Sequence, residues 1–398
     1  MVNASEIADL KGTGSATEPS TEFSSRRRVL AFATQGAGGD DEARLKTLLG
    51  SSVAEFFPFD RKAKRASAWA ILKQVLRERP DLVVMEGTGL AGGTAVMLGR
   101  LLGGIPYVVV SGDAVGPFLW AIHPLIGVVG SVYERLLCRY SAGFIGWTPY
   151  LTGRAITFGA PRGATAPGWA PFQLSAEEAS QARAEDRESL GIGRDEIVFG
   201  LVGSLQWSPR AGYCYGLELV KAAERLTRAD ARVLIVGDGN GRAELERLAK
   251  ASADGRCIFT GRVSRDQVPR YLAAFDVAGL PQSLDGVGNF RYTTKISEYL
   301  SAGLPIVTGR LPFAYDLDEG WLWRIPGKTP WSEEYIAAIA EFMNRVDRVE
   351  IASKSSSVPN EPAEFARDRQ ISRVAMFLDE LMDDLYRSPR LPHQSPRP

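Results

Sequence analysis

The chain has 398 residues, and its 47 Lys and Arg residues balance its 47 Asp and Glu residues, so the formal net charge is zero. Hydrophobic residues make up 45% and charged residues 24%, which is typical of a globular protein long enough for two domains. The balanced charge argues against a general nucleic-acid-binding protein. Two histidines and three widely spaced cysteines argue against a His-based metal site and a disulfide framework.

The two ends of the chain are polar or rich in proline. Residues 1–26 contain no apolar core segment, so they predict a flexible tail rather than a signal peptide or a membrane anchor. Residues 388–398 are Pro-rich and predict a second tail. Together with the cysteine usage, these features favour a cytoplasmic protein.

Short apolar runs alternate with helical stretches between the two tails. In the first half, the predicted strands are 28–34, 53–59, 81–87, 105–113 and 144–148, with a helix at 63–79. In the second half, strands are predicted at 196–204, 231–239, 256–263, 276–283 and 304–309, and helices at 216–226, 241–252, 266–275 and 293–302. This alternation predicts an α/β fold of two Rossmann-like, doubly wound domains that face each other across a cleft.

The predicted domains have approximate boundaries at composition changes. We expect a first domain at 27–180 and a second at 190–362, joined through an acidic, Ala-rich linker at about 173–190. The amphipathic helix predicted at 363–387 could pack on either domain.

Open parallel sheets bind ligands beyond the carboxyl ends of their strands, where this chain has six glycine-rich turns. The turn GDGNGR at 237–242 has the spacing GxGxG rather than GxGxxG. It is therefore a weak indication of dinucleotide binding, and a simple tight turn explains it equally well.

The segment 289–307 contains a more specific arrangement of polar residues. Thr293 or Thr294 could cap a helix whose first turn holds Lys295, which favours an anion such as phosphate. Glu298 lies about one turn further along and could accept the hydroxyls of a ribose. The alternative is a solvent-exposed ion pair between Lys295 and Glu298 that needs no ligand.

Three longer motifs carry a resemblance to a known family. They are LIVGDGNGRAELERLA (234–249), CIFTGRVSRDQVPRYLAAFDV (257–277) and KISEYLSAGLPIV (295–307). In this order they resemble the donor-binding domain of GT-B-fold glycosyltransferases, specifically the large retaining family four. The first half of the chain is similar only in its Gly-rich loop and in the helix before the second domain.

The resemblance implies roles for individual residues. Glu298 would bind the ribose of a nucleotide-diphosphate sugar, and Gly203 together with Arg210 or Lys295 would bind its diphosphate. Residues expected near the base, or near the phosphate and sugar from the first domain, are Arg262, Val263, Gly36, Gly38 and Gly39.

This sequence departs from the family's usual pattern at two positions. Phe290 stands where the family often has a glutamate that reaches the donor sugar, so Asp285 or the backbone around Gly288 and Asn289 would serve instead. The family's histidine near the sugar is replaced by Ser-Gly-Asp at 111–113, which leaves Asp113 as the polar candidate. His123 is not aligned with that motif and is interpreted as a histidine of an apolar segment.

The resemblance therefore implies a glycosyltransferase that moves a sugar to a glycan or a lipid-linked acceptor with retention of configuration. Asp113, Arg210 and Lys295 would act in catalysis, and the sequence shows no motif that requires a metal or another cofactor. Three alternatives remain. They are a weakly active homologue that serves as a binding subunit in glycan assembly, a nucleotide-sugar epimerase, and a nicotinamide oxidoreductase suggested by GDGNG alone.

Two segments of the first half suggest contact with a membrane. Residues 61–79 contain seven basic residues and one acidic residue and have an apolar helical face, whereas residues 114–133 carry no formal charge. We expect that these segments could place the protein peripherally on an anionic membrane surface, at its inner face. The alternative is a solvated basic helix and a buried or acceptor-lining loop.

Overall fold

The computed structural model describes residues 27–50, 54–252, 255–360 and 362–387. The two predicted tails, 1–26 and 388–398, lie outside the described residues. The described chain forms two α/β domains, each built on a parallel six-stranded sheet with core clusters on both faces. The predicted fold class is therefore confirmed.

The first domain contains six parallel strands and six helices. Its strands are β1 (Val29–Ala33), β2 (Ala54–Phe56), β3 (Leu82–Glu86), β4 (Tyr107–Ser111), β5 (Gly143–Gly146) and β6 (Gly163–Thr165). Its helices are α1 (Asp40–Leu49), α2 (Lys64–Glu78), α3 (Leu90–Gly103), α4 (Val115–Ile122), α5 (Pro124–Tyr140) and α6 (Pro149–Thr157). The strand order β2-β1-β3-β4-β5-β6 reverses direction between β1 and β3, which is where such sheets open a crevice for ligands.

The second domain follows the same plan. Its strands are β7 (Ile197–Val202), β8 (Ala231–Val236), β9 (Cys257–Gly261), β10 (Val277–Leu280), β11 (Ile306–Gly309) and β12 (Leu322–Ile325). Its helices are α7 (Ala176–Ser189), α8 (Leu217–Ala223), α9 (Arg242–Ser252), α10 (Val268–Ala273), α11 (Thr294–Ser301), α12 (Phe313–Asp316), α13 (Glu333–Arg345) and α14 (Arg348–Ser356). The strand order β12-β11-β10-β7-β8-β9 places the corresponding crevice between β7 and β10.

The stretch expected to be a linker instead forms helix α7, which packs on the second domain. Ser175 caps this helix in a reciprocal capping box with Glu178. Both Arg183 and Arg187 form ion pairs of 2.5 Å with Asp276, next to β10. The helix is therefore part of the second domain, because buried charge pairing holds it there.

The last helix, α15 (Arg367–Arg387), crosses back to the first domain. Its apolar residues Val374, Leu378 and Leu381 belong to the core cluster on one face of the first sheet. Gln370 adds two hydrogen bonds to the backbone of Gly168. The sequence left the partner of this helix open, and the structure shows that it covers the first sheet.

Candidate functional site

A cleft of about 580 Å³ lies between the two domains at the carboxyl ends of their strands. From the first domain, Glu86 and Ser111, the last residues of β3 and β4, line it. From the second domain, Tyr215 and residues 291–294 line the opposite side. Side chains from both domains can therefore contact one ligand in this cavity, as the arrangement of two facing sheets predicts.

A smaller pocket of about 180 Å³ lies beside the start of helix α11. Gly203 after β7, Thr293 and Lys295 all line this pocket. Thr293 is the N-cap residue, but its side chain makes no capping hydrogen bond. Its buried hydroxyl has no hydrogen-bond partner among the described residues. A hydroxyl without a partner, a lysine and a helix N-terminus around one pocket suit a phosphate group.

Glu298 stands one turn along α11 from Lys295. Burial raises the pKa of its carboxyl group, while the positive charges of Lys295 and Arg265 oppose that shift. In the described part of the chain, Lys295 and Glu298 form no ion pair with each other within 4.0 Å. The two residues therefore do not form the solvent-exposed ion pair of the alternative interpretation, and Lys295 alone of the two lines the pocket.

The glycines of the turn at 237–242 have a packing role. Gly237 has a φ of 145°, and a Cβ atom there would lie 1.9 Å from the carbonyl oxygen of Gly203. A Cβ atom at Gly239 would lie 2.4 Å from the backbone of Leu205. The turn therefore allows two loops of the second domain to meet closely, which accounts for its glycines without a dinucleotide.

The loop between β10 and α11 is held by Asp285. Its carboxylate accepts hydrogen bonds from the backbone amides of Val287 and Gly288, both at 2.8 Å, and from the hydroxyl of Ser283 at 2.6 Å. Asp285 thus orders the loop in which Gly288 and Asn289 lie. The side-chain oxygen of Asn289 is buried and has no hydrogen-bond partner within the described chain.

Phe290, at the end of this loop, contacts the other domain. Its side chain packs against the core of the first domain, and the Arg154 guanidinium lies 5.1 Å from its ring centroid. The Thr148 hydroxyl donates a hydrogen bond of 2.8 Å to the Phe290 carbonyl. Phe290 therefore fixes the loop between β10 and α11 to the first domain.

A reciprocal contact runs from the first domain to the second. Tyr150 of α6 packs against the core of the second domain, edge to face with Tyr292, with ring centroids 5.9 Å apart. Its hydroxyl donates to Asp316 at 2.5 Å. Tyr150 and Phe290 together anchor each domain in the other beside the cleft.

Asp113 lies in the cleft and forms an ion pair of 2.8 Å with Arg291 of the second domain. Both side chains are about half exposed, so each remains accessible to a ligand. Arg291 was not predicted from the sequence. The signal that could have found it is a basic residue directly after the position where the family's glutamate is missing.

Three other groups of predicted residues do not line the pocket at the start of α11. Arg210 donates a hydrogen bond to the Ala121 carbonyl at the end of α4, rather than pointing at the start of α11. Arg262 and Val263 follow β9, where Arg262 is exposed and Val263 is partly buried. Arg265, two residues after Val263, forms an ion pair with Asp40 of the first domain. The glycine loop after β1 stands beside the cleft, whose lining includes its neighbours Gln35 and Asp41; its glycines are Gly36, Gly38 and Gly39.

Glu86 is a buried carboxyl group in the cleft that sequence reasoning missed. Burial raises its pKa to about 8, and Arg44 at 3.1 Å and the indole N–H of Trp147 at 3.2 Å oppose that shift. A glutamate that ends an otherwise apolar strand, directly before a glycine turn, is the signal that could have found it. Such a group can exchange a proton near neutral pH.

A second cavity of the second domain, about 380 Å³, adjoins the pocket at the start of α11. Tyr213 and Trp331 form part of its wall, with ring centroids 5.0 Å apart. Gln282 also lines it, and both polar atoms of its buried side chain lack hydrogen-bond partners in the part of the chain that is described. Aromatic walls and a free amide are suited to a sugar ring.

Within the described ranges, no group of three or more His, Cys, Asp or Glu side chains is placed to hold a metal ion. His123 is exposed and accepts a hydrogen bond from the backbone amide of Leu125 at the start of α5, outside the cleft. Within the same ranges, no helix is sufficiently long and apolar to cross a bilayer.

Comparisons with known proteins agree with this geometry. Residues 196–345 match the family model described as glycosyl transferases group 1. TuaH of Bacillus subtilis (strain 168), named as a teichuronic acid biosynthesis glycosyltransferase, is 26% identical over 166 residues, 41% of this chain and 38% of that protein. The 2-deoxystreptamine glucosyltransferase of Streptomyces kanamyceticus is 28% identical over 191 residues, 46% of each chain. The matches thus span less than half the length of these two relatives.

Among solved structures, HepE of Anabaena in complex with UDP and glucose superposes with a TM-score of 0.65. The superposition covers 89% of this chain and all of that one, at 17% sequence identity. The similarity extends over both domains and therefore shows a common fold. The chain therefore combines the GT-B fold with a second domain in which residues 196–345 match the family model of glycosyl transferases group 1.

Proposed function

We propose that the protein is a glycosyltransferase that transfers a sugar from a nucleotide-diphosphate donor to a glycan or lipid-linked acceptor. The observation that carries this proposal is the pocket at the start of α11, where Thr293 and Lys295 face Gly203. The matched family and both curated relatives are glycosyltransferases, and the similar HepE structure contains UDP.

The donor would bind along α11. Its diphosphate would lie against Thr293, Lys295 and the first amides of the helix, which stabilise the negative charge that develops on the leaving group. The Glu298 carboxylate would accept the ribose hydroxyls, and the base would lie towards Arg262 and Val263. The donor sugar would then extend towards Gln282 and Arg291 in the adjoining cavity.

We also propose transfer with retention of configuration. In the cleft, Glu86 is held by Arg44 and Asp113 by Arg291, so neither carboxylate is placed as a free nucleophile. The departing phosphate at α11 would then accept the proton of the acceptor hydroxyl. NMR of the product, with the donor's anomeric configuration as reference, tests this point, since an inverted anomer would contradict it.

The experiment that tests the donor site compares melting temperatures with nucleoside diphosphates. We expect one of them to stabilise the native protein, because a ligand that binds only the native state raises its stability. Glu298→Ala should weaken that nucleotide by roughly tenfold or more, since a hydrogen bond to a charged group contributes about 1.5–3 kcal/mol. Glu341→Ala, an exposed glutamate on α13, is the matched control. No stabilisation by any nucleoside diphosphate would contradict the proposal.

Phe290 supports a second candidate, a binding subunit of a glycan-assembly complex with little activity of its own. Its side chain packs against the first domain's core and carries no carboxylate that could reach a donor sugar. Nucleotide binding without sugar transfer or nucleotide release on any acceptor extract would favour this candidate. Turnover that is lost in Glu298→Ala would favour the enzyme.

We further propose, from the basic composition of residues 61–79, that an anionic membrane surface is a partner of the protein.

A further inference from the structure

Helices α4 and α5 form a hairpin whose outer face is unusually apolar. No Lys, Arg, Asp or Glu occurs between residues 114 and 133. Large apolar side chains of the hairpin nevertheless face solvent, with Leu125 72% and Val129 65% exposed. Others at about half exposure are Phe118, Ile126, Val128 and Val132. We refer to these six residues as the hairpin face.

The close packing of the two helices explains why this face remains outside. A Cβ atom at Gly127 would lie 2.4 Å from the ring of Trp120, and one at Gly130 would lie 2.5 Å from the side chain of Leu119. The helices therefore meet through glycines on α5 and large side chains on α4. The large side chains of α5 that point away are not needed for this contact.

On the neighbouring helix α3, Leu90 lines the same cleft as Phe118 and is 50% exposed. Monomeric soluble proteins rarely leave contiguous apolar patches of this kind in water, and larger ones mark interaction sites. The feature requires a partner whose own surface is apolar.

The charges around the face indicate what that partner is. Four exposed basic residues, Arg61, Lys62, Lys64 and Arg65, stand at the start of α2, and Lys64 lines the cleft together with Phe118 of the hairpin. An apolar face bordered by basic residues matches an anionic bilayer, which offers acyl chains inside and phosphate groups at its surface.

The hairpin also forms part of the cleft itself. The inner residues of α4, Val115 and Leu119, line the 580 Å³ cavity with Leu90 and Lys64. In this wall, the apolar side chains can contact a lipid chain while the cation pairs with the phosphate attached to it. This wall faces the second domain's residues 291–294 across the cavity.

We propose that the hairpin face docks on an anionic lipid bilayer and that the acceptor is a lipid-linked phosphate. Its lipid remains against α4, and its phosphate is bound by Lys64. The docking surface is a property of the first domain, whereas the acceptor class rests on the proposed glycosyltransferase function. The bilayer would thus deliver the acceptor to the cleft along α4.

Co-sedimentation with vesicles tests the docking surface. At low salt, the protein should bind vesicles of phosphatidylcholine with phosphatidylglycerol, and Leu125→Glu/Val129→Glu should weaken binding by about tenfold or more. Val349→Glu, an apolar residue 79% exposed on α14 of the second domain, is the control that should bind normally. Vesicle binding by the double variant equal to that of the wild type would overturn the proposal. It would also be overturned if light scattering showed that the wild type forms a dimer without lipid and that the double variant is a monomer.

Binding of farnesyl phosphate, a soluble lipid phosphate, tests the cavity wall. Titration calorimetry should show binding that Lys64→Gln weakens by about fivefold or more, with Lys62→Gln as the control. Inorganic phosphate should bind far more weakly, because it lacks the chain that contacts α4. Equal binding of both phosphates, or an unaffected Lys64→Gln variant, would overturn the acceptor assignment. The nucleotide-induced rise in melting temperature should persist in all these variants, so failure of the donor site is detected separately.

Discussion

Asp113 and Arg291 form an ion pair of 2.8 Å that joins the two domains inside the cleft. Asp113 belongs to the Ser-Gly-Asp motif at 111–113, and Arg291 directly follows Phe290, so both lie at the two positions where the sequence departs from the pattern of the family that it resembles. The pair places one charge of each sign in the lining of the cleft.

The first prediction concerns this pair. Arg291→Ala should lower sugar transfer by about tenfold or more, because a charge-assisted contact in the cleft is lost. The free energy of unfolding should change by only about 0–1 kcal/mol, since both side chains are half exposed. Initial rates and urea unfolding measure the two effects. Arg265→Ala removes another interdomain pair, with Asp40, and should leave transfer closer to normal.

The second prediction concerns Phe290 as an anchor between the domains. Phe290→Ala should destabilise the protein by roughly 2 kcal/mol, because the ring packs against the first domain's core and Arg154. Phe290→Glu should not restore a typical family member, since its carboxylate would enter that apolar contact. Urea unfolding checks both variants, with Phe172→Ala, an exposed phenylalanine, as the control. An unfolding free energy equal to that of the wild type would contradict the anchor.

The third prediction concerns the pH dependence of stability through Glu86. Its pKa is raised to about 8 by burial, from an ordinary value of 4.5, so the native state retains a proton that the unfolded chain releases between these pH values. The free energy of unfolding should therefore fall as the pH rises from about 5 to about 8, by an amount on the order of a few kcal/mol.

Glu86→Gln should make this decline shallower, because the amide cannot titrate, while Glu218, whose pKa burial raises to about 7, continues to contribute. Urea unfolding at several pH values measures the slope for both proteins. Glu341→Gln, which is exposed, should keep the wild-type slope. A wild-type stability that rises over this range would show that Glu86 is ionised in the native state.

The fourth prediction concerns the last helix. Leu381→Ala should cost about 2–4 kcal/mol, since the side chain is fully buried against the first sheet. Met376→Ala, on the exposed side of the same helix, should have a small effect. Denaturant unfolding distinguishes the two. Similar losses for both variants would argue against the observed packing of α15.

The sequence predicted the secondary structure well where each element had its own periodic pattern. The strand Val29–Ala33 is a continuous apolar run, Ala231–Val236 is apolar except for Arg232, and helix Lys64–Glu78 shows helical spacing, so these were identified. Helices α13 and α14 and strand β12 were not predicted. The stretch expected to be a linker became helix α7, because its partner Asp276 is about 90 residues away in sequence.

Within the candidate site, the sequence predicted the relative positions of residues on one helix but not the contacts of residues in loops. Lys295 and Glu298 stand one turn apart on one helix, so local spacing alone placed them near each other. Arg210 was assigned to the diphosphate by position. Local sequence does not fix the direction of a loop side chain, and the Arg210 guanidinium donates a hydrogen bond to the Ala121 carbonyl of the other domain.

By itself, the sequence determined the two sheets, their order along the chain and the position of Lys295 in the first turn of α11, because these depend on local patterns of apolar and polar residues. Only the tertiary structure decided that α15 crosses to the first domain, that Phe290 packs against that domain's core, and that Asp113 meets Arg291. Each of these contacts joins residues far apart in the chain, and long-range packing, not local propensity, selects such partners.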